Sequence, residues 1–313
     1  MRTHTSYRDL PPGDRGAAVA IGNFDGVHLG HQSVLALARA AAAEIDAPFG
    51  VVTFEPHPRA FFAPDAPPFR LMTAATRARR LARLGVAQLY ELRFDASLAG
   101  LAAEDFVRDV LASGLGIRHL VAGADFRFGK GRAGDVETLR RLGPGLGFGV
   151  SVAPLVSDDQ GRHSSTAIRA ALSAGRPEEA ARILGHWHRI EGPVMHGDAR
   201  GRGLGFPTAN LSMEGLHLPR FGVYAVLVDV LEGPHRGRHA GVASLGVRPT
   251  FGVTAPNLEV HILDFDADLY GTPLSVALVA FQRPEAKFDD IAALVAQMQA
   301  DAAEAREVLA RPG

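Results

Sequence analysis

The sequence predicts an α/β fold followed by a β fold in one chain. Three observations carry this. Up to about residue 185, short apolar runs alternate with stretches of helical spacing, the pattern of a parallel sheet covered on both faces. After that the alternation stops, and five strand-like runs follow one another with only turns between them, as in a small antiparallel barrel. One helix-like segment from Asp290 closes the chain.

Residues 17–21 are the first apolar run and read as a buried strand. Residues 33–43, rich in Ala and Leu and free of Gly and Pro, read as a helix. Between them lies GNFDGVHLGH, residues 22–31. Gly22, Gly26 and Gly30 let a backbone approach a ligand closely. The helix that follows offers unpaired N–H groups and the positive end of its dipole. His28 and His31 stand at its entrance, where imidazoles are good donors to a phosphate that gains charge. Taken alone, such a string is as often a Gly-rich turn with two surface histidines.

Residues 49–54 form the second strand, stopped by Glu55-Pro56-His57-Pro58. A helix is predicted over 73–84, a strand over 88–94 and a helix over 104–111, with Phe106, Val107, Val110 and Leu111 on one face. A strand over 119–123, a helix over 136–142, a strand over 150–156 and helices over 164–172 and 177–184 complete this half. Ligands in such folds bind outside the carboxyl ends of the strands, and each motif lies at such an end.

Three more strings stand out there. TFEPHP puts His57 at the tip of the second strand, although by itself it is a Pro-rich turn. GADFRFGKGRAGD leaves the fourth strand but is not a P-loop, since Gly123 and Gly129 are too far apart and Lys130 is followed by Gly131. Its Asp125 and Phe126 either line a flat ring's pocket or belong to the core. In SSTAIR the hydroxyls of Ser164 and Thr166 open a helix, which capping alone would explain. With Arg169 added, the same turn suits phosphate oxygens.

In the second half, strands are predicted over 190–195, 222–231, 240–246, 258–265 and 274–281. Turn residues such as Glu232-Gly233-Pro234 and Tyr270-Gly271-Thr272-Pro273 separate them. In the final helix Ile291, Leu294, Val295 and Met298 form an apolar stripe, expected to pack on the barrel. Residues 197–205 hold four glycines, including Gly203 and Gly205, and read either as a plain hairpin loop or as a wrap for phosphates. In the following Phe206-Pro207-Thr208-Ala209-Asn210, residues two apart face the same way, so Thr208 and Asn210 present a hydroxyl and an amide oxygen together. These are hard ligands suited to Mg²⁺ carried on a nucleotide. Leu258, Val260 and Ile262 share one strand face, and Glu259 and His261 the other. A carboxylate held there is placed to accept a hydroxyl proton, or is simply exposed.

GNFDGVHLGH, TFEPHP, GADFRFG and SSTAIR, in this order, resemble the FMN adenylyltransferase half of the bifunctional riboflavin kinase/FMN adenylyltransferases, the prokaryotic FAD synthetases. GRGLGFPTANL, FGVYAV, SLGVRPTFG, LEVHILDFDADLYG and the ending PEAKFDDIAALVAQMQADAAEAR resemble that family's riboflavin kinase half. The resemblance implies a Rossmann-like nucleotidylyltransferase domain over 1–185 and a kinase barrel over 186–313. It implies that riboflavin is phosphorylated by ATP to FMN, and FMN adenylylated by ATP to FAD with release of pyrophosphate. The implied ATP site of the first half is Gly22, Phe24, Asp25, Gly26, His28, His31, Ser164, Thr166 and Arg169, with His57, Asp125 and Phe126 toward the flavin and its phosphate. In the second half Gly203, Gly205, Thr208 and Asn210 hold ATP and Mg²⁺, and Glu259 is the base. An adenylyltransferase for a pantetheine-type acceptor would not need the barrel, and a flavin-storage protein would not need the catalytic residues.

Composition narrows the class. The 313 residues suffice for about two domains, with 47% apolar and 21% charged residues. A net charge of −1 argues for neither nucleic acid nor an anionic membrane surface. With no cysteine, disulfides and thiolate metal sites are excluded. No apolar run approaches a membrane span, and residues 1–16 lack the apolar core of a signal peptide, so a cytoplasmic enzyme is expected.

Overall fold

Strands that are apolar throughout can be buried on both faces only if helices cover them, and the first half is built that way. The structure is a computed structural model that describes residues 1–159, 161–196, 205–250 and 253–311; the side chains of 248–250 and 253–255 also lie outside the description. The strands are β1 (Arg2–His4), β2 (Ala18–Ile21), β3 (Phe49–Glu55), β4 (Gln88–Arg93), β5 (His119–Gly123) and β6 (Gly149–Ala153). They form a parallel sheet in the order β1-β4-β3-β2-β5-β6. All four residues of β2 and the first six of β3 are buried.

The intervening helices are α1 (Leu29–Glu44), α2 (Pro58–Phe62), α3 (Ala74–Arg83), α4 (Ala96–Ala99), α5 (Ala103–Asp105) and α6 (Val136–Leu142). After α5 the chain runs on as a π-helix, Phe106–Gly114, which buries Phe106, Val107, Val110 and Leu111 as the periodicity predicts. Because β2 lies between β3 and β5, the strand order reverses beside it. Such a switch point leaves a crevice at the carboxyl ends, and GNFDGVHLGH leaves β2 there.

One strand has no apolar signature. The polar residues of β1 pair with β4 at the sheet's edge, where His4 stacks on Tyr90 at 5.4 Å. An edge strand needs no buried face, so alternation does not announce it. The sixth strand ends at Ala153, and a two-residue pair, β7 (Ser157–Asp158) with β8 (Gly161–Arg162), follows.

By its contacts the chain forms two compact units: Met1–Ala66 with Ala74–Ser164, and Pro67–Thr73 with Ser165–Gly313. The helices α7 (Ser165–Ser173) and α8 (Pro177–Leu184), grouped by the alternation with the first half, belong to the second unit. Ile168, Leu172, Ile183 and Leu184 form a small apolar cluster with Leu71.

The rest of the second unit is a nearly closed antiparallel barrel. Its strands are β9 (Arg189–Pro193), β10 (Ala209–Ser212), β11 (Gly222–Val230), β12 (Gly237–Thr250), β13 (Val253–Ile262) and β14 (Pro273–Arg283), in the order β10-β13-β12-β11-β14-β9. Just past β9, the Met195 N–H donates to the Asn210 carbonyl at 2.9 Å, bridging the two edge strands. Leu258, Val260 and Ile262 point into the core with Tyr224, Val226 and Leu245, as alternation predicts.

The last helix, α9 (Ile291–Leu309), is capped by Asp290, which accepts from Ala293 N–H at 2.7 Å. It packs on the barrel through the predicted stripe, but most closely one to two turns further along it. Ala302 and Ala305 meet Ala225 and Leu263, whereas Ile291 is 65% exposed. Small residues let the helix lie close to the sheet, and closeness decides which turn is covered.

Asp301, 3% exposed, ties α9 to β14 by accepting from Arg283 Nε at 2.8 Å and Nη2 at 2.6 Å. Removing one partner of such a buried pair leaves the other charge uncompensated. Asp301→Ala is expected to destabilise the second unit by about 3 kcal/mol. Urea unfolding followed by fluorescence of Trp187, the chain's only tryptophan, measures this.

Candidate active sites

The turn that leaves β2 is shaped before it is filled. Gly22 N–H donates to the Val52 carbonyl at 3.1 Å, keeping the turn beside β3. The Asn23 carbonyl accepts from Thr53 Oγ1 at 3.3 Å and from Arg77 Nη1 at 3.2 Å. Phe24 and Val27 then take positive φ, +50° and +46°, around Gly26 at +88°. Phe and Val rarely adopt this backbone, and both are almost wholly buried, so packing holds them there. Asp25 is buried in the same turn.

The turn delivers His28 to the N-cap of α1, where its Nδ1 accepts from His31 N–H at 3.3 Å. The helix thus begins four residues before its predicted start, and His31 lies within its first turn. The two imidazoles stack with centroids 3.7 Å apart. Gly30 makes room for this contact. A Cβ there would lie 3.1 Å from the His28 ring and 3.2 Å from the His163 carbonyl. Among the described residues, the buried Nδ1 of His31 has no hydrogen-bond partner. Burial, and then the neighbouring His28, hold His31 well below the ordinary histidine pKa.

His57 caps α2 at the end of β3, its Nδ1 accepting from Arg59 N–H at 3.0 Å. Beneath it lies a residue that sequence reasoning missed. Arg77 of α3, with no exposed surface, donates through Nη2 to Glu55 at 3.0 Å and to Glu91 at 2.7 Å. In the sequence it sits in Thr76-Arg77-Ala78-Arg79-Arg80, which reads as a solvated helix face.

Asp125 is exposed and paired with Arg162 at 2.5 Å. Phe126 stacks on Phe128 at 5.7 Å. From Phe128 a row of ring contacts runs through Phe106, Phe54 and Phe94 to Phe61 and Phe62. Phe62 is 69% exposed, so the row ends at the surface. Phe61, Phe62 and Phe94 also escaped the sequence reading; the adjacent Phe61-Phe62 after a Pro-rich turn was their only signal. Ser164 ends the first unit, while Thr166 and Arg169 stand on α7 in the second. Arg169 donates to the Phe69 carbonyl at 3.3 Å.

On the barrel, Asn210 and Glu259 pair directly across β10 and β13. Asn257 Nδ2 donates to Asn210 Oδ1 at 3.1 Å and to Glu259 Oε1 at 3.2 Å. Both residues are buried, at 8% and 7% exposure, which excludes the simply exposed carboxylate. Thr208 lines a cleft of about 680 Å³ with Gly205, Pro207, His261, Tyr270 and Arg306. His261 donates through Nδ1 to the Pro207 carbonyl at 2.9 Å, fixing the segment before β10. Gly205 has φ +82°; Gly203 lies outside the described residues.

Among the described residues no group of three or more His, Cys, Asp or Glu is arranged to hold a metal. Thr208 and Asn210 nonetheless supply a hydroxyl and an amide oxygen. That donor set fits Mg²⁺ arriving on a nucleotide, which takes one or two protein oxygens and keeps water and phosphate as its other ligands.

The sequence profile of the FAD synthetase family matches residues 10–167, and that of the riboflavin kinase family residues 184–309. The chain is 44% identical over 311 residues to the bifunctional riboflavin kinase/FMN adenylyltransferase of Pseudomonas fluorescens, covering 99% of this chain and 98% of that one. To the Escherichia coli K12 enzyme of the same description it is 40% identical, over 93% and 92% of the two chains. A crystal structure described as a macrolide-efflux protein from Streptococcus pneumoniae superposes with a TM-score of 0.84 at 34% identity, covering 97% of this chain and 98% of that one. In the present chain, no helix among the described residues is long and apolar enough to cross a membrane.

The geometry of His31 is testable without turnover. Its imidazole is expected to stay neutral through the pH range where ordinary histidines titrate, because burial and His28 both oppose the cation. An anion bound at the α1 N-terminus acts in the opposite sense and raises the pKa. NMR titration of the imidazole with and without bound ATP measures both.

Proposed function

The chain belongs to the bifunctional riboflavin kinase/FMN adenylyltransferase family, whose activities produce FMN and FAD, and we propose which residues perform each step. Our division assigns adenylyl transfer to 1–185 and phosphoryl transfer to 186–313. The observation that carries the kinase half is the pairing of Asn210 and Glu259 across β10 and β13. ATP occupies the cleft beside Thr208, with its phosphates toward Thr208 and Asn210. Bound there, Mg²⁺ on the nucleotide draws charge from the phosphate oxygens. Glu259 accepts the proton of riboflavin's terminal hydroxyl as that oxygen attacks the γ-phosphorus, the bond to the β,γ-bridging oxygen breaks and ADP leaves. Phosphoryl transfer needs alignment more than covalent help, and a carboxylate held by Asn257 provides it.

In the α/β half, the FMN phosphate attacks the α-phosphorus of ATP and pyrophosphate leaves. His28 and His31 donate to the phosphate oxygens as charge builds, aided by the N–H groups of the α1 first turn. A neutral imidazole still has one N–H to give, so the low pKa of His31 is compatible with this role. The row from Phe126 to Phe62 supports the flat apolar isoalloxazine, and His57 lies toward its phosphate. The assignment of Ser164, Thr166 and Arg169 to the ATP phosphates rests on the order of the motifs. We place the enzyme in the cytoplasm with its ATP supply.

The two activities provide each other's control. His31→Ala is expected to slow FAD formation roughly 10²–10³-fold, the range for one lost donor, and to leave FMN formation from riboflavin unchanged. Equal loss of both would indicate a folding defect. Glu259→Gln keeps the shape of the side chain and removes its basicity. It is expected to slow riboflavin phosphorylation by roughly 10²–10⁴-fold, with FAD made from supplied FMN at the normal rate. Normal phosphorylation would remove Glu259 from the mechanism, and Asp264, Asp266 and Asp268, which line the cleft, would be tested next.

A further inference from the structure

We infer that Arg77 is a positioning residue for adenylyl transfer, acting through the two loops that carry His28, His31 and His57; this rests on the reading of those histidines given above. Arg77 lies on α3 and is not near the α1 N-terminus in sequence. Its guanidinium has no exposed surface and spends its donors on three different segments. Nη1 donates to the Asn23 carbonyl at 3.2 Å, in the first turn residue after Gly22. Nη2 donates to Glu55 at 3.0 Å, one residue before Pro56-His57, and to Glu91 of β4 at 2.7 Å.

Three features separate this from an ordinary buried ion pair. First, one of the three acceptors is a backbone carbonyl, so the contact sets where a loop begins rather than only balancing charge. Second, the turn that follows holds Phe24 and Val27 at positive φ, a backbone that persists only when surroundings over-determine it. Third, the two loops leave adjacent strands, β2 and β3, and Arg77 hydrogen-bonds to the turn after β2 and to the last residue of β3. The planar fork of arginine suits this task. A lysine ammonium keeps the charge but is a single point, and cannot span a carbonyl and two carboxylates in the same geometry.

Displacements of about 1 Å in a catalytic group can slow a reaction by about 10²-fold. Arg77→Lys is therefore expected to lower kcat for FAD formation by about 10–100-fold, with KM for ATP and FMN changed less than about twofold. Riboflavin phosphorylation by the same chain should be unaffected. A normal kcat for Arg77→Lys would overturn the inference, as would parallel loss of both activities.

Arg77→Met removes the cation that Glu55 and Glu91 share and so threatens the fold of the unit; the double variant Arg77→Met/Glu91→Gln is therefore measured beside it. Thermal unfolding by circular dichroism reports how far the second change restores stability. If kcat for adenylylation stays low while stability returns, Arg77 positions the loops. If kcat returns with stability, Arg77 only neutralises carboxylates and the inference fails. His31→Ala in the same assay keeps the two readings apart. An active His31→Ala protein defeats the site assignment, whereas an inactive one beside a fully active Arg77→Lys protein defeats only the role of Arg77.

Discussion

A guanidinium removed from water needs acceptors, and in this protein that requirement gathers the ends of three neighbouring segments of the parallel sheet. Through Nη1 and Nη2 Arg77 meets Glu55 at the end of β3, Glu91 on β4 and the carbonyl of Asn23 just beyond β2, while its Nε has no hydrogen-bond partner among the described residues. Leaving any of these acceptors out of place strands charge or polar groups in the interior, where the penalty is large. The strands cannot slide independently while this set is intact. The turn to His28 therefore leaves the sheet from a fixed point, and its positive-φ residues are held by packing on both sides.

The two halves meet a common problem, holding a polyphosphate while one phosphorus is attacked, with different means. In the α/β half the groups we propose to face the anion are a helix N-terminus, a Gly-bearing turn and stacked imidazoles. Backbone donors are cheap to orient there because the sheet already aims them. A barrel has no helix pointing into its rim, so oxygen donors from strands serve instead. Thr208 lies before β10, Asn210 on it, and Glu259 opposite on β13. Asn257, two residue pairs further along, donates to both the amide oxygen and the carboxylate. In each half the groups proposed to react sit at the margin of the scaffold, held by their neighbours.

Much of this was legible in the residues. The alternation of strands and helices, the inward Leu258, Val260 and Ile262, the helix after His28 and the last helix from Asp290 follow from periodicity and local chemistry. The motif strings identified the family and its two activities. Other features left no local trace. Arg77 looked like one basic residue among several, and Ile291 looked like a core residue although it is mostly exposed. The strand β1 has polar residues because an edge needs no buried face.

The sequence by itself determined most of the helices and strands, most of their apolar faces, and which chemistry the chain carries, because these depend on residues near one another along the chain. Only the tertiary structure decided that Arg77 is the buried charge, that helices 165–184 pack with the second unit, and that Asn210 faces Glu259. It also decided that the phenylalanines from Phe126 to Phe62 form one row. Each of these depends on strand order, register or the closeness of two elements far apart in the chain. Burial and pairing across such distances are set by the whole packing arrangement, and no local pattern encodes them.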